Sequence, residues 1–378
     1  MLLFLLSRAG RAGEFNSDME NAESCACNIP RSAVVSNEGG DSPPRPPSPS
    51  PAGVPNSSSQ RRSLAVDDAF HESAGADRDM VVIPGRVFDM GTDSPGMPYD
   101  GESPRRKVRV SSFLIDKYEV SNAQYEEFVR DTGHVTDSEK WNWSFVLFSS
   151  LSRAKQKQVT MWVQDAPWWT QVEGSYWRAP EGPGSDVFSS ESANGDRRQH
   201  PAVHISWTDA KAFCKWRGGS RLPTEAEWEL AARGPSDRKV FPWGNVLAPN
   251  GTRRLNIYEG DFPKRNSMED GYAYTAPVDA YGPQNEYGVY NMVGNVWEWV
   301  DDWWATDHEV SMGEEGSEAV QDNPRGPDKG TEKVKKGGSF LCHKKFCYRY
   351  RNAARFKVEV DNGTQNSGFR CAKDIVSE

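Results

Sequence analysis

Residues 218–229 read Gly-Gly-Ser-Arg-Leu-Pro-Thr-Glu-Ala-Glu-Trp-Glu, and this stretch decides the fold. Thr224 and Glu227 have the spacing of a capping box, which predicts the start of a helix with Trp228 turned toward the core. The helix is expected to end at Arg233, because Gly234 can take the left-handed conformation that closes a helix. A short helix with firm limits, entered from a Gly-Gly turn, is therefore the first predicted element.

Two more helices are predicted when the reading is extended outward from this stretch. Residues 208–217 form one, with Phe213 and Cys214 on its buried face and Gly218 at its end. The other begins at Ser121, which forms a second capping box with Gln124. Its apolar face consists of Tyr125, Phe128 and Val129.

Short strands account for most of the remaining pattern. Residues 80–84 and 87–91 flank Gly85 and predict a hairpin, and residues 109–115 predict a further strand. Beyond the third helix the sequence alternates turns, short strands and aromatic residues. No Pro/Ser-rich break divides residues 80–376, so we expect a single domain.

Composition sets limits on the class of protein. The chain has 378 residues, a net charge of -9, 14 Trp, 33 Gly and 25 Pro, which favours a loop-rich fold held by aromatic clusters. The acidic balance argues against nucleic acid as a partner. No apolar run approaches the ~18 residues that a membrane helix needs, so no membrane span is expected.

The N-terminal part differs from the rest in composition. Residues 1–27 contain a short apolar run, interpreted as the remnant of a secretory signal, and the pair Cys25 and Cys27, interpreted as an exchange-prone redox handle. Residues 28–76 are rich in Ser and Pro and are predicted to be a disordered linker. The folded domain is expected over residues 77–376. Asn-x-Ser/Thr sequons suggest a secretory route and occur at Asn56, Asn142, Asn250 and Asn362.

The pair Cys342 and Cys347 carries the strongest chemical signal. The chain has only six cysteines, and these two lie in the run GGSFLCHKKFCYRYR at 337–351. Three interpretations stay open: a structural disulfide, half of a zinc site, or two thiolates for a soft metal or a redox reaction. Zinc would need further Cys or His ligands that are scarce here, whereas paired thiolates suit Cu(I). Four basic neighbours are expected to favour thiolates by lowering their pKa: Lys344, Lys345, Arg349 and Arg351.

Two other segments offer oxygen ligands. In the run YGVYNMVGNVWEW at 287–299, Asn291 and Glu298 supply side-chain oxygens, and the residues between them can supply carbonyls. Upstream, residues 256–257 and 270–272 offer a similar mixture. Hard cations such as Ca²⁺ prefer such a set, although Asn, Asp and Gly are also ordinary turn formers. For Cys214 and Cys371, a long-range disulfide and two buried thiols both remain open.

Several motifs together resemble one known family. The run at 218–229, FPWG at 241–244, the run from Asn291 to Trp299 and GFRC at 368–371 are similar to the signature of the formylglycine-generating enzyme, or sulfatase-modifying factor, superfamily. They span residues 78–376. The run at 337–351 resembles the active-site stretch of catalytically active members, whereas paralogous sulfatase-modifying factors lack these cysteines.

The resemblance implies a fold and an activity. The fold would be the compact, C-type-lectin-like α+β fold of formylglycine-generating enzymes. The activity would be oxidation, with O2, of the cysteine in Cys-x-Pro-x-Arg of unfolded sulfatases to Cα-formylglycine, in the endoplasmic reticulum lumen or partly after secretion. Cys25 and Cys27 would engage thioredoxin-like retention chaperones. A non-catalytic regulator of the same fold is the alternative, and a lectin-like binding module would rest on fold analogy alone.

The resemblance also implies roles for individual residues. Cys342 and Cys347 would hold Cu(I), with Ser339 and His343 beside it, and Cys214 would form a disulfide with Cys371. The substrate groove would be lined by Trp297, Arg355 and Asn366. Two Ca²⁺ sites would be formed by Asn256, Ile257, Asp270 and Tyr272, and by Asn291, Gly294, Val296 and Glu298.

Overall fold

The computed structural model describes residues 33–36, 79–192, 194–308 and 319–375. The predicted signal remnant and the pair Cys25 and Cys27 lie outside these residues. Within the segment predicted as a disordered linker, residues 34–36 instead form a strand that pairs with residues 161–163. No helix in the described part of the chain is long and apolar enough to cross a membrane.

Five helices and seventeen strands are present in the described residues. The helices are α1 Asn122–Thr132, α2 Asp137–Trp141, α3 Arg153–Gln156, α4 Trp207–Trp216 and α5 Glu225–Arg233. The strands are β1 Val34–Ser36, β2 Met80–Ile83, β3 Arg86–Met90, β4 Arg106–Val110, β5 Phe113–Asp116, β6 Trp143–Leu147, β7 Met161–Val163, β8 Ala166–Glu173, β9 Ser220–Arg221, β10 Gly260–Asp261, β11 Arg265–Asn266, β12 Trp297–Trp303, β13 Gln321–Asp322, β14 Glu332–Lys336, β15 Arg355–Glu359, β16 Ser367–Gly368 and β17 Ala372–Asp374.

The three predicted helices are confirmed as α1, α4 and α5. In α1 and α5 the expected capping boxes form: Ser121 with Gln124, and Thr224 with Glu227. Helix α4 has a capping box of its own, at Ser206. These caps satisfy backbone N–H groups that a helix leaves unpaired at its first turn, so local sequence alone is enough to set where each helix begins.

The predicted hairpin at residues 80–91 is wrong. Strand β2 pairs with β5, and β3 pairs with β4, both antiparallel, so the two strands around Gly85 belong to different sheets. The strand predicted at 109–115 is likewise two strands, β4 and β5, interrupted at residues 111–112. A Cβ atom at Gly85 would lie 2.5 Å from the Ser112 nitrogen. The two chain segments cross there so closely that each must bend into its own sheet.

The strands form small sheets around the helices. Their orders are β2-β5-β17-β9, β13-β4-β3, β15-β14-β12-β16, β1-β7-β8-β6 and the pair β10-β11. Two pairings are parallel, β12 with β16 and β13 with β4, and the others are antiparallel. The expected single α+β architecture is observed. The sheet β15-β14-β12-β16 matters most for function, because the residues between β14 and β15 contain the Cys342–Cys347 segment.

Aromatic side chains fill the core. Tyr125 and Phe213 stack between α1 and α4, and Phe369 packs edge-on against both rings. Trp228 of α5 is fully buried, as predicted. A separate cluster, which includes Phe145, Trp169, Tyr258, Phe340 and Leu341, lies under the cysteine segment. Aromatic area therefore supplies much of the burial that an aliphatic core would otherwise provide.

Candidate active site

A tight turn at Gly337 and Gly338 connects strand β14 to the segment that contains the cysteine pair. Gly337 has a φ of 90° and Gly338 a φ of 72°, both in the left-handed region. A Cβ atom at Gly337 would lie 2.6 Å from the Met292 carbonyl oxygen, so no larger residue fits there. The turn delivers the following residues, from Ser339 to Cys347, to the rim of the second aromatic cluster.

Cys342 and Cys347 meet as a bonded pair. The structure joins their sulfur atoms in a disulfide, with the Cα atoms 4.8 Å apart. The Cys342 N–H donates to the Ser339 carbonyl and the Cys347 N–H donates to the His343 carbonyl, at 2.9 and 2.8 Å. The side chains are 0% and 3% exposed. Of the three open interpretations, the structure shows the disulfide; the two thiolates that a soft metal would need are its reduced form.

A small cleft opens beside Cys347. Its lining consists of Trp168, Trp169, Phe262, Leu341, Phe346, Cys347 and Asn366. Six of these seven side chains are apolar or sulfur-containing, and Asn366 is the one amide among them. The cleft therefore offers an aromatic surface for an extended chain, with a sulfur atom and one polar group at its floor.

Asn366 and Ser339 lie together and are joined by a hydrogen bond. Asn366 Nδ2 donates to Ser339 Oγ at 2.9 Å, and the Leu341 N–H donates to the same oxygen at 3.3 Å. Both side chains are buried, and the Trp297 N–H donates to the Asn366 carbonyl at 2.8 Å. The structure thus brings Ser339 and Asn366 into one group with the cysteine pair.

His343 lies at the edge of this group. Its ring packs in an aromatic cluster with Tyr258, Phe262 and Phe346. Partial burial lowers its pKa below the usual value for histidine. Its Nδ1 accepts the Lys345 N–H at 3.2 Å. His343 is therefore a half-buried ring packed against two residues of the cleft lining, Phe262 and Phe346.

Trp297 is buried behind the cleft. It is 1% exposed and packs against Phe356 with the rings 5.9 Å apart. Its indole N–H is buried and has no hydrogen-bond partner among the described residues. Trp297 supports Asn366 through the backbone contact at 2.8 Å, so its place is under the predicted groove.

Arg355 does not lie open to a substrate. Its Nε and Nη2 atoms each donate to a carboxylate oxygen of Glu225 on α5, both at 2.7 Å, and the side chain is buried. The predicted groove position is therefore corrected to a structural one. Burial alone would raise the pKa of Glu225, but the charges of Arg355 and Lys336 outweigh it and hold that pKa at about 2.

The basic residues around the cysteines were predicted to stabilise thiolates, and the structure corrects this for two of them. Arg349 forms a buried ion pair with Asp100, with Nε 2.6 Å from Oδ2, and Arg351 forms another with Glu102 at 2.7 Å. Lys344 and Lys345 are exposed to solvent. The arginine charges are thus balanced by carboxylates that the sequence pattern did not connect with them.

The first predicted calcium set comes together in space. The Asp270 carboxylate accepts the N–H groups of Ile257 and Tyr272, at 2.9 and 3.0 Å. Asn256 is 1% exposed, and its Oδ1 atom has no hydrogen-bond partner in the described part of the chain. A buried carbonyl oxygen without a donor beside a carboxylate fits a bound cation, since such an oxygen is costly to leave unpaired.

The second predicted set fits a cation only in part. Asn291 Oδ1 is also buried without a partner among the described residues. The Glu298 carboxylate, however, forms a bidentate pair with Arg370 at 2.6 and 2.7 Å and accepts the Trp228 indole N–H at 2.7 Å. Three donors already surround this carboxylate. Glu298 is therefore a structurally paired group, and calcium would have to share its oxygens with a guanidinium.

Glu119 lies beside this second set, and no sequence pattern singled it out. Its two carboxylate oxygens each accept an amide N–H at 2.9 Å, from Asn291 and from Asn295. The side chain is 0% exposed, and burial raises its pKa to about 8. The only local signal was its place two residues before the Ser121 cap, which predicts nothing about a partner more than a hundred residues away.

Cys214 and Cys371 form the disulfide that the family resemblance implied. Their Cα atoms are 5.6 Å apart and the residues are 157 positions apart in sequence. The bond joins helix α4 to the start of strand β17. This resolves the choice between a staple and two buried thiols, which spacing had left open.

Comparisons with known proteins agree with this geometry. Residues 67–375 match the family described as "Sulfatase-modifying factor enzyme 1-like domain". The chain is 51% identical over 296 residues to a protein of Thermomonospora curvata named "Formylglycine-generating enzyme", covering 78% of this chain and 93% of that protein. It is 50% identical over 295 residues to the Bos taurus protein of the same name, covering 78% and 74% of the two chains.

Two further matches have lower sequence identity. A Bos taurus protein named "Inactive C-alpha-formylglycine-generating enzyme 2" is 41% identical over 295 residues, covering 78% of this chain and 87% of that protein. The solved structure of PvdO from Pseudomonas aeruginosa matches with a TM-score of 0.52 at 22% identity, covering 79% and 97% of the chains, and supports the fold alone. The expected fold is confirmed, and the chain belongs to the sulfatase-modifying factor family of formylglycine-generating enzymes and their relatives.

Proposed function

We propose that this chain is an oxidoreductase that converts the cysteine of Cys-x-Pro-x-Arg in unfolded sulfatases to Cα-formylglycine, with O2 as the oxidant, and so activates sulfatases. The observation that carries the proposal is the buried Cys342–Cys347 pair, of which Cys347 lines an aromatic cleft. Relatives named as formylglycine-generating enzymes at about half identity support it, and the relatives named as inactive are more distant.

Cu(I) is the cofactor that the reduced pair fits. Two soft sulfur atoms converge there, which suits a soft ion with few ligands. Cys342 and Cys347 would be the protein ligands. Bound there, Cu(I) would supply the redox chemistry that thiols and O2 need in order to react. Burial of both side chains keeps bulk water away from the pair.

The surrounding residues explain how a substrate is held. The aromatic walls, including Trp168, Trp169 and Phe262, suit an extended peptide, because flat rings bury large area against side chains and backbone. Asn366 orients the bound chain next to Cys347, and His343 supports the cleft by packing against Phe262 and Phe346. A narrow cleft of this kind admits a single extended segment, which is why we infer that the sulfatase is modified before it folds.

Calcium is proposed as a second cofactor, with a structural role. The first set fits best, because Asn256 Oδ1 and the Asp270 carboxylate are both buried and close to the Ile257 backbone. In the second set, Asn291 fits and Glu298 does not, given its pair with Arg370. Ca²⁺ bound to either set would stabilise the fold by binding the native state alone.

The proposed location is the endoplasmic reticulum lumen, with partial secretion. The Cys214–Cys371 disulfide supports an oxidising compartment. Of the sequons in the described residues, Asn142 and Asn250 are exposed, whereas Asn362 is buried and could not accept a glycan in the folded protein. Cys25 and Cys27 would serve thioredoxin-like retention chaperones. Mass spectrometry of protein from secretory cells, with both thiols and glycans mapped, tests this assignment.

The test of the reaction uses a Cys-x-Pro-x-Arg peptide, copper-loaded protein and mass spectrometry. The peptide should lose its thiol and gain an aldehyde. Cys342→Ser and Cys347→Ser should each abolish this change while the protein stays folded, because the chain-entropy model gives only about 2 kcal/mol for a disulfide that closes so short a loop. Aldehyde formation by Cys342→Ser at the wild-type rate would refute the mechanism. Peptide binding without oxidation by the wild type would favour the alternative, a non-catalytic regulator.

A further inference from the structure

A chain of buried side-chain hydrogen bonds leads from strand β14 to the cleft. Lys335 Nζ donates to Ser367 Oγ at 2.6 Å, and the Ser367 and Thr364 hydroxyl oxygens are 2.6 Å apart. Thr364 Oγ1 then donates to Asn366 Oδ1 at 2.7 Å, and Asn366 Nδ2 donates to Ser339 Oγ at 2.9 Å. Every member of this chain is 3% exposed or less. The Lys335–Ser339 chain, as we call it, thus has no access to bulk water.

The direction of these hydrogen bonds follows from Lys335, the donor at the start of the Lys335–Ser339 chain. An amide can be turned over without changing the shape of its side chain, so its orientation must be read from its partners. Because Ser367 accepts a proton from Lys335, its own hydroxyl proton goes to Thr364. The Thr364 proton must then go to Asn366, where only Oδ1 can accept it.

The opposite amide orientation would interrupt this direction of donation. If Asn366 Nδ2 faced Thr364, the Thr364 proton would go to Ser367, which already accepts from Lys335. The series of donors that begins at Lys335 would then be broken at Ser367. The observed orientation, in which Thr364 Oγ1 donates to Asn366 Oδ1 and Asn366 Nδ2 faces Ser339, keeps the donors in one direction from Lys335 to Ser339.

In the described residues, no ion pair accounts for the burial of Lys335. The neighbouring Lys336 lies 3.1 Å from Glu229 and 3.5 Å from Glu225, as buried lysines usually require. Lys335 has no carboxylate within ion-pair distance among the described residues; its ammonium group lies 3.8 Å from the centre of the Trp299 ring. Burial lowers its pKa well below the usual value. Even as a neutral amine it keeps N–H groups that can donate to Ser367.

We propose that Lys335, Ser367 and Thr364 are positioning residues of the cleft, which hold the Asn366 amide so that it offers a hydrogen-bond donor to the substrate. One Nδ2 proton is used by Ser339, and the second is left for the cleft that Asn366 lines. The ligand atom would be an acceptor of the bound peptide, either the cysteine sulfur or a main-chain carbonyl oxygen. The inference rests on the proposed function for the identity of the peptide.

The experiment interrupts the Lys335–Ser339 hydrogen-bond chain at Thr364. Thr364→Val keeps the shape of the side chain and removes the hydroxyl, so the amide can turn over, whereas Thr364→Ser keeps the hydroxyl. We would measure the Kd of a Cys-x-Pro-x-Arg peptide under argon, where no turnover occurs, and kcat and KM in air. Thr364→Val should raise Kd about tenfold, the effect of one lost hydrogen bond. Thr364→Ser should restore wild-type binding.

Further variants separate positioning from general damage. Thr170→Val is the matched control, since Thr170 is 0% exposed and its hydroxyl donates to the Met161 carbonyl, away from the chain. It should lower thermal stability as Thr364→Val does, with peptide Kd unchanged. Lys335→Met should weaken binding in the same way as Thr364→Val. Asn366→Asp, which replaces the donor by an acceptor, should bind more weakly than Asn366→Ala.

A second peptide identifies the acceptor. With the cysteine replaced by alanine, loss of the Thr364→Val effect assigns the acceptor to sulfur, and persistence assigns it to a carbonyl oxygen. Equal Kd and kcat for wild type and Thr364→Val would overturn the inference. If the wild type forms no aldehyde but the Kd differences hold, the proposed function fails and the positioning chain stands.

Discussion

At the scale of single residues, the buried charges divide according to their partners. Arg355 and Glu298, both predicted to serve ligands, are matched by Glu225 and Arg370 instead. Two other buried groups lack such a partner among the described residues: Asn256 Oδ1 has no hydrogen-bond donor, and Lys335 has no opposite charge. Buried charges that are already paired mainly hold the fold together, whereas a buried group without a matching partner calls for a ligand or a positioning role.

Arg355 tests the first half of this division. Arg355→Leu should lower the free energy of unfolding by about 3–5 kcal/mol, because it breaks a buried ion pair and leaves only the more distant Lys336 to balance the charge of Glu225. The peptide KM should stay near wild type. Urea denaturation and steady-state kinetics measure the two effects. Arg198→Leu removes an exposed arginine paired with Asp196 and should change stability by less than about 1 kcal/mol. A large rise in KM with unchanged stability would restore Arg355 to the substrate groove.

The same ion pair predicts a dependence on pH. The pKa of Glu225 is lowered from 4.5 to about 2 in the folded chain, so unfolding takes up a proton in acid. Its contribution to stability is therefore complete above pH 4.5 and is lost as the pH falls to about 2. Unfolding of Glu225→Gln, followed over this range by tryptophan fluorescence, should show a shallower loss than wild type. Parallel curves for the two proteins would contradict the assignment.

At the scale of elements, helices and strands differ in how far local sequence determines them. Each of α1, α4 and α5 has its own capping box, and their limits are predictable within a residue or two. Strands β2 and β3 were recognisable as strands, but their partners, β5 at Phe113–Asp116 and β4 at Arg106–Val110, do not follow them directly in the sequence. Helix hydrogen bonds close within four residues, whereas a strand needs a partner that the chain must bring from elsewhere.

The disulfide between α4 and β17 is the matching prediction at this scale. Cys214 and Cys371 close a loop of 157 residues, for which the chain-entropy model gives about 4–5 kcal/mol of stabilisation. Cys214→Ala, Cys371→Ala and the double variant should therefore lose nearly the same free energy of unfolding, because one link is broken in each case. Chemical denaturation measures it. Additive losses from the two single variants would mean that the sulfurs act as separate packing groups.

At the scale of the whole molecule, the two proposed calcium segments pack against each other. A Cβ atom at Gly294 would lie 2.7 Å from the Asn256 carbonyl oxygen, and the Asn295 N–H donates to that oxygen at 2.9 Å. Asn295 and Glu119 then connect these loops to the start of α1. An ion held here would fix loops that join several sheets, so its effect should appear in global stability.

Calcium binding is tested through the melting temperature. Added Ca²⁺ should raise the Tm of the wild type and a chelator should lower it, since the ion binds only the folded chain. Asn256→Ala should lose most of this response, because it removes the unpaired oxygen. Glu298→Gln is the control: it should lower the Tm by weakening the pair with Arg370 while the chelator response remains. An undiminished response in Asn256→Ala would place the ion elsewhere.

The sequence by itself determined the features that depend on neighbouring residues and on short motifs. Helix caps, the cysteine pair in its Gly-rich run and the family of the chain could all be predicted, because each is contained within a few consecutive residues. The family resemblance implied separate places for Ser339, beside the metal, and for Asn366, in the substrate groove; the structure joins the two side chains by a hydrogen bond.

Only the tertiary structure decided which distant groups face one another. No pattern in the local sequence indicates that Arg355 pairs with Glu225 or that Arg370 pairs with Glu298. Nor does the local sequence indicate that Lys335 is connected through Thr364 to the cleft. These contacts join residues from separate elements, and their strength depends on the exclusion of water after the chain has packed. A hydrogen bond or ion pair that is weak at the surface becomes stronger in the water-free interior, and burial is a property of the folded molecule.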